Sequence, residues 1–345
     1  MTTKGPPPLP PLPPGLLSTG GRRRGRRGRV LALVAVALVG CAAAAVLLAG
    51  LDKDGGSRRA DPAPIAAGAP AVPGNARAEP DPIVPAQPVP EVPLAGGDTV
   101  DVEFKKPPRG ALLFDVRSGE VLWRRKPLKV LPMASLTKIM TAVLVTERDG
   151  PQTPVRITPA ALRYQGSGVG LLPKGRRVRL EALLNGLLLV SGNDAAIALA
   201  DHVSGNERRF VRLMNRRARS LGLSCTHYVS SHGLEKGNRS CAHDVAVLTR
   251  VAMKRKRIRR IAKRSQADFR FPIKGGRLYL SGHNPLIRSG YRGAVGLKTG
   301  YTDEAGLCFV GVAKRGGRTL AVVLLHSPNP ARQAAKLLDA GFAER

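Results

Sequence analysis

Ser135 and Lys138 stand three apart in Ser135-Leu136-Thr137-Lys138, and Ser191-Gly192-Asn193 and Lys298-Thr299-Gly300 follow in order along the chain. Together these residue types supply the parts of a serine acyl-transfer site. A seryl oxygen is a poor nucleophile until a base takes its proton. On a helix, residues three apart share a face, so the Lys138 amine can reach the Ser135 hydroxyl. Lysine is a base only when neutral. Burial and a second nearby cation both depress its pKa, and Lys298 is the candidate second cation. Leu131, Met133, Leu136, Ile139 and Met140 would supply the apolar surroundings. Each motif alone is weak: a lone SxxK arises about once by chance in a chain of this size and reads as a first-turn serine beside a snorkelling lysine.

Ser191 and Asn193 fall in a turn expected between two helices, so both side chains can project into one cleft. A hydroxyl there can relay a proton to a leaving amine, and an amide can hold a peptide carbonyl. A second copy, Ser204-Gly205-Asn206, sits at the polar exit of the following helix beside Glu207 and reads as a capping turn. Lys298 offers a point charge for a substrate carboxylate, and Thr299 a hydroxyl donor. Gly300 would let a substrate backbone approach a strand closely and pair as an added strand. The backbone N–H groups of Ser135 and Tyr301 are the candidate oxyanion donors. No metal or cofactor is called for: His227, His232 and His243 follow no zinc-site spacing, and no HExxH occurs. A Ser-His-Asp hydrolase is disfavoured, because no serine has glycine both two places before and two places after it.

These motifs need a frame. Residues 111–116 and 121–124 flank Arg117-Ser118-Gly119-Glu120 as one hairpin, and 306–313 and 319–325 flank Gly316-Gly317 as another. Helical patterns cover 133–145, 179–190, 194–203 and 207–221, with 298–300 on or beside a strand. Asn329-Pro330 caps a last helix through Leu338. Strands from both ends of this region with helices between them predict an α/β fold, an antiparallel sheet flanked by helices on both faces plus a helical subdomain.

Composition divides the 345 residues into an expected basic Pro-rich cytoplasmic segment (1–29), a transmembrane signal anchor (30–51), a disordered Pro/Ala-rich linker (52–104) and a catalytic domain (105–345). Six arginines between 22 and 29 precede an uncharged apolar run of 22 residues, enough to cross a bilayer. No polar break follows Ala42–Ala45, so an uncleaved anchor with the remainder outside the cell is expected, with secretion after cleavage as the alternative. Of a formal net charge of +32, residues 1–50 carry +7 and 51–104 carry −5, which leaves +30 on 105–345. Outside the cell such a field meets anionic wall polymers or lipid headgroups and no nucleic acid. Cys225 and Cys241 are expected to form a disulfide in that oxidising compartment. Cys41 and Cys308 lie in apolar runs and read as unpaired packing residues.

Around the motifs, Ala134-Ser135-Leu136-Thr137-Lys138-Ile139-Met140-Thr141, Ser191-Gly192-Asn193-Asp194-Ala195-Ala196, Ser231-His232-Gly233-Leu234 and Gly296-Leu297-Lys298-Thr299-Gly300-Tyr301-Thr302 resemble the D-alanyl-D-alanine carboxypeptidase family. These are the low-molecular-mass penicillin-binding proteins of the S11 serine peptidase type, and the similarity runs from about Arg109 to Leu325. The resemblance implies a β-lactamase/DD-peptidase-like fold and removal of the terminal D-Ala from peptidoglycan stem peptides through an acyl-enzyme on Ser135. It also implies β-lactam antibiotics as covalent inhibitors. The roles carried onto matching positions are catalytic for Ser135, Lys138 and Ser191, and substrate-binding for Asn193, Lys298, Thr299 and Gly300. A D,D-endopeptidase acting on cross-links would use the same residues. A β-lactamase would need a water-activating carboxylate, and Glu235 lacks the ExxLN context; a silent wall-binding protein would be expected to carry a broken motif, and none is broken. Ser231 stands where members often have proline, which touches a loop and not the site. Many members carry a C-terminal β domain, which the 20 residues after Leu325 are expected to be too few to form.

Overall fold

A computed structural model describes residues 90–344. The basic segment 1–29 expected to be cytoplasmic, the apolar run 30–51 and most of the expected 52–104 linker lie outside the described residues, among which no helix is long and apolar enough to cross a membrane. The fold opens with β1 (Gly110–Asp115), β2 (Val121–Arg125), β3 (Leu131–Pro132), a 3-10 turn (Ala134–Thr137) and α1 (Lys138–Arg148). A largely helical stretch follows: β4 (Pro154–Arg156), α2 (Pro159–Leu162), β5 (Arg177–Arg179), α3 (Leu180–Leu189), α4 (Asn193–Ser204) and α5 (Glu207–Ser220). Next come β6 (Arg239–Ser240), α6 (Ala242–Lys254), α7 (Lys256–Ala262), β7 (Gln266–Arg270), β8 (Arg277–Ser281) and α8 (Pro285–Arg288). β9 (Ala294–Thr302), β10 (Gly306–Arg315), β11 (Arg318–Leu325) and α9 (Pro330–Ala343) close it.

Five strands form one antiparallel sheet in the order β2-β1-β11-β10-β9, as the two hairpins predicted. The inner stretches of its central strands, Ala111–Phe114, Cys308–Ala313 and Leu320–Leu325, carry no charged residue because both faces are covered. Alternation assigns each residue to one face. Leu112, Phe114, Val310, Val312, Val323 and Leu325 enter a large core with α1, α3, α4 and α6. Leu113, Phe309, Leu320, Val322 and Leu324 face a smaller core with Leu337 and Leu338 of α9. The Gly341 Cα packs so closely on Leu320 and Leu113 that a Cβ would come within 3.0 Å of both.

Helix boundaries follow local chemistry. Asn329 caps α9 by accepting from Arg332 N, and Gly205, in the left-handed region at φ 77°, ends α4 before Asn206 caps α5. The second Ser-Gly-Asn is therefore a capping turn, as its polar context implied. The expected 133–145 helix is split: Ala134–Thr137 winds as 3-10, and α1 begins at Lys138.

The linker boundary at 104 needs correction. Residues 90–104 pack along β2, the sheet edge opposite β9. Leu122 O accepts from the N–H groups of Thr99 and Val100 at 3.0 Å, and Arg124 holds Leu94 O, Gly96 O and the Asp98 carboxylate. Val92 is buried in the large core, and the Phe104 ring meets Trp123 edge-on at 5.9 Å. A strap of low periodicity thus covers an exposed edge, one of the ways sheets avoid pairing with other chains.

Cys225 and Cys241 are joined, and Cys308 is a buried free thiol. The bridge stands beside the β3–β6 ladder (Leu131↔Ser240, Pro132↔Arg239), the segment that leads into the nucleophile turn. Among the described residues the one cluster close enough to hold a metal ion is Cys225, Cys241 and Asp244. Its sulfurs are bonded to each other, and one Asp244 carboxylate oxygen accepts from Cys225 N and Thr226 Oγ1.

Candidate active site

Ser135 lies in the 3-10 turn, one residue after Ala134, which is held in the left-handed region at φ 48°. Strain of that kind persists only where surroundings over-determine it. Two contacts do so here. Thr137 Oγ1 donates to Ala134 O at 2.8 Å, and the Gly233 Cα is pressed so close that a Cβ would meet Ala134 O at 2.1 Å. The Ser231–Leu234 segment therefore braces the nucleophile turn, and Gly233 is required for that approach.

Lys138 opens α1 and is fully buried. Its Nζ lies 3.0 Å from Ser135 Oγ, 2.7 Å from Asn193 Oδ1 and 2.8 Å from His232 O. The two carbonyl oxygens can only accept, so they engage two N–H bonds of the amine. In the neutral form the remaining direction is the lone pair, and it faces the Ser135 hydroxyl. Burial first, then the charge of Lys298, holds the Lys138 amine well below its ordinary value, against smaller upward pulls from Asp194 and Glu235.

Lys298 on β9 is also buried, donates to Thr299 O at 2.8 Å, and is pushed down to about 7 by burial. β9 is the free edge of the sheet, pairing through Lys298↔Val310, Gly300↔Cys308 and Tyr301↔Leu307 on one side alone. An extended peptide can add there. Gly300 also meets the nucleophile turn. A Cβ on it would sit 3.0 Å from Ser135 N and 3.2 Å from the Ala134 Cβ, so the missing side chain lets β9 touch the nucleophile turn.

Ser191 occupies the tight turn between α3 and α4 at φ 61°, and its buried hydroxyl has no hydrogen-bond partner. Asn193, two residues on, gives Nδ2 to Gln165 O at 2.5 Å, so one of its amide hydrogens is already engaged. Asn193 therefore orients Lys138 before it holds any substrate carbonyl. The three motifs converge: Asn193 bonds Lys138, Gly300 abuts Ser135, and the Lys298 charge is felt at Lys138. The buried Ser191 hydroxyl makes no hydrogen bond to them.

A cleft of about 430 Å³ opens over Ser135, lined also by Gly166, Ser167, Asn193, Leu234 and Tyr301. Its 163–172 wall was missed in the sequence. That loop is held by buried Asp194, whose carboxylate accepts from Val169 N and Gly170 N at 2.9 Å, and by Ser167 O, which accepts from Asn193 N at 2.7 Å. Burial pushes the Asp194 carboxyl up despite these N–H donors. Of the three neighbouring histidines, His232 contributes its carbonyl, with its buried ring 3.4 Å from Glu235, while His243 Nε2 faces Val92 O of the strap.

A serine hydroxyl 3.0 Å from a buried lysine amine puts this site in the serine–lysine acyl-transfer class. The family model described as D-alanyl-D-alanine carboxypeptidase matches residues 104–329, and the chain belongs to that family. It is 34% identical over 245 residues to D-alanyl-D-alanine carboxypeptidase DacF of Bacillus subtilis, covering 68% of this chain and 62% of that protein's length. It is 35% identical over 266 residues to D-alanyl-D-alanine carboxypeptidase DacB2 of Mycobacterium tuberculosis, covering 74% of this chain and 87% of the relative. The solved Streptomyces K15 DD-transpeptidase superimposes with a TM-score of 0.66 at 31% identity, over 70% of this chain and all of that one. The fold is thus of the DD-peptidase type.

Proposed function

We propose that this chain is a serine D-alanyl-D-alanine carboxypeptidase, anchored by residues 30–51 with its catalytic domain outside the cell, and acting on peptidoglycan stem peptides. The observation that carries the reading is the 3.0 Å contact between Ser135 Oγ and Lys138 Nζ, with the other two amine directions taken by carbonyls. The substrate backbone adds to the β9 edge, its terminal carboxylate against Lys298 and Thr299. Its scissile carbonyl oxygen turns toward the N–H groups of Ser135 and Tyr301. Lys138 takes the Ser135 proton as Oγ attacks the carbonyl carbon. The tetrahedral intermediate then collapses to an acyl-enzyme, and Ser191 relays a proton to the departing amine of D-Ala. Water attacks the ester with Lys138 again as base, releasing the shortened peptide and Ser135. Removing a single oxyanion donor costs roughly 100- to 1000-fold in rate.

A β-lactam presents a carboxylate and a strained acyl carbon to the same groups and stays on Ser135. Labelled penicillin is expected to acylate the full chain on the Ser135 peptide and to leave Ser135→Ala unlabelled; an adduct on another serine overturns the assignment. Free D-Ala released from a pentapeptide ending in D-Ala-D-Ala identifies the carboxypeptidase, whereas cleavage of cross-linked dimers alone identifies an endopeptidase. The charge of +30 on residues 105–345 favours residence among anionic wall polymers or lipid headgroups.

A further inference from the structure

We infer that the basic cavity flanked by α6, α7 and β10 binds the phosphate of an anionic lipid headgroup. It measures about 630 Å³ and shares no lining residue with the catalytic cleft. Eight of its twelve lining residues are arginine or lysine, and none is acidic. Three of the eight are already engaged: Arg250 on the carbonyls of Glu91, Val116 and Arg117, Arg259 on Met253 O, and Arg260 on Glu181. Arg117, Lys254, Lys256, Lys263 and Lys314 are exposed and form no ion pair among the described residues. Five uncompensated cations around one concavity repel one another until an anion with several oxygens enters, and a phosphate supplies that charge in one group.

Two further observations favour a lipid over a wall polymer. Every lining residue that is not cationic, save Thr319, is apolar: Val116, Met253 and Val295. A cationic site with an apolar lining suits an amphiphile, with hydrocarbon beside its phosphate. In addition, Arg250 both lines the cavity and holds Glu91 O, so the cavity adjoins the point where the chain arrives from its N-terminal side. About 40 residues separate the apolar run from Glu91. Even fully extended they keep the domain within roughly 130 Å of a membrane holding that run. This last argument rests on the anchor proposed above; the chemistry of the cavity does not.

The test uses the full chain in neutral detergent micelles, titrated separately with short-chain phosphatidylglycerol, short-chain phosphatidylcholine, inorganic phosphate and poly(glycerol phosphate). Hydrogen exchange of residues 252–264 is followed, and penicillin acylation of each sample is measured alongside. Phosphatidylglycerol is expected to protect this segment, with apparent affinity falling at least 10-fold in the combined variant Lys254→Glu, Lys256→Glu, Lys263→Glu, and by less in the Gln counterparts. Acylation should be unchanged in all of them, since these side chains are exposed and line no part of the catalytic cleft. Equal protection by phosphatidylcholine, binding of inorganic phosphate as tight as the lipid's, or tighter binding of poly(glycerol phosphate) each overturns the lipid assignment. Loss of acylation in the parent chain would instead overturn the catalytic reading and leave the cavity's result standing.

Discussion

Asn193 Oδ1 accepts from Lys138 Nζ at 2.7 Å, and these residues lie 55 apart in the chain. The contact lets a neutral side chain orient the amine without adding a charge to stabilise its protonated form. Asn193→Asp keeps the shape but places a carboxylate there, which favours the ammonium. Acylation by penicillin at pH 7 is expected to fall about 100-fold, within the range for loss of a general base, with the rising limb of the pH profile displaced upward. Stopped-flow acylation across pH checks this. A profile unmoved in Asn193→Asp would remove Lys138 as the base.

Lys138 and Lys298 share one buried field, so protonation of one opposes protonation of the other. Activity needs the first neutral and the second charged. The kcat/KM for a carboxylate-bearing substrate should therefore rise through the depressed pKa of Lys138 and fall as free Lys298 loses its proton, near about 7. An esterified substrate has no carboxylate for Lys298, and its profile should lose the falling limb. Parallel falling limbs for acid and ester would assign that limb elsewhere.

Burying Lys298 also acts on stability. Its folded pKa of about 7 lies below the ordinary lysine value, so between the two the unfolded chain holds a proton that the folded one lacks. Stability should consequently rise with pH from about 7 toward 10, and the cost is fully present below 7. Lys298→Met removes that cost. Its Tm at pH 7 is expected to exceed the parent's by several degrees while hydrolysis of the carboxylate substrate collapses, because burying an apolar side chain of similar length avoids the desolvation of a charge. Calorimetry of both proteins at pH 6 and pH 9.5 should show the gap narrowing at the higher pH.

Gly300 lies against the nucleophile turn, and Gly300→Ala would drive a methyl onto Ser135 N. If that N–H faces the oxyanion, acylation should fall 100-fold or more, with a melting temperature lowered by only a few degrees. The Gly233→Ala substitution is a control of a different kind: its Cβ would strike Ala134 O at a φ of 86°, so it should lower both stability and acylation.

What could be read from the sequence was whatever short-range chemistry encodes. The two large hairpins, the capped α9 and the Ser135/Lys138 pair depend on residues within a few positions of each other. The disulfide partners emerged by elimination among four cysteines. The 163–172 wall was not legible, because Gln165, Gly166 and Ser167 stand in no catalytic motif and are placed by Asp194 and Asn193 from a distant helix. Nor was the strap at 90–104: its Pro- and Gly-rich composition lacks periodicity, and its order comes from Arg124, Arg250 and His243, which lie far along the chain. Two-residue strands such as β3 and β6 have too little sequence to carry a pattern. The contact of Gly300 with the nucleophile turn was unseen for a related reason: a missing side chain does not say which neighbour fills the space.

Asp194 offers the sharpest test of that unseen wall. Its carboxylate accepts from Val169 N and Gly170 N, and both bonds require acceptor oxygens. In Asp194→Asn one of those oxygens becomes an NH2 group facing an N–H, so one anchor of the loop is lost without a change in volume. The expected result is faster hydrogen exchange over 166–172 and a 10-fold or greater loss in kcat/KM, carried mostly by KM, because Ser135 and Lys138 keep their own contacts. The parent protein should approach the same state in acid: the Asp194 carboxyl is raised by burial, and as pH falls through it, the protonated group gives up one acceptor. Acidifying the parent should therefore loosen 166–172 while leaving Asp194→Asn unaffected. Equal acid sensitivity in the two proteins would show that another group controls the loop.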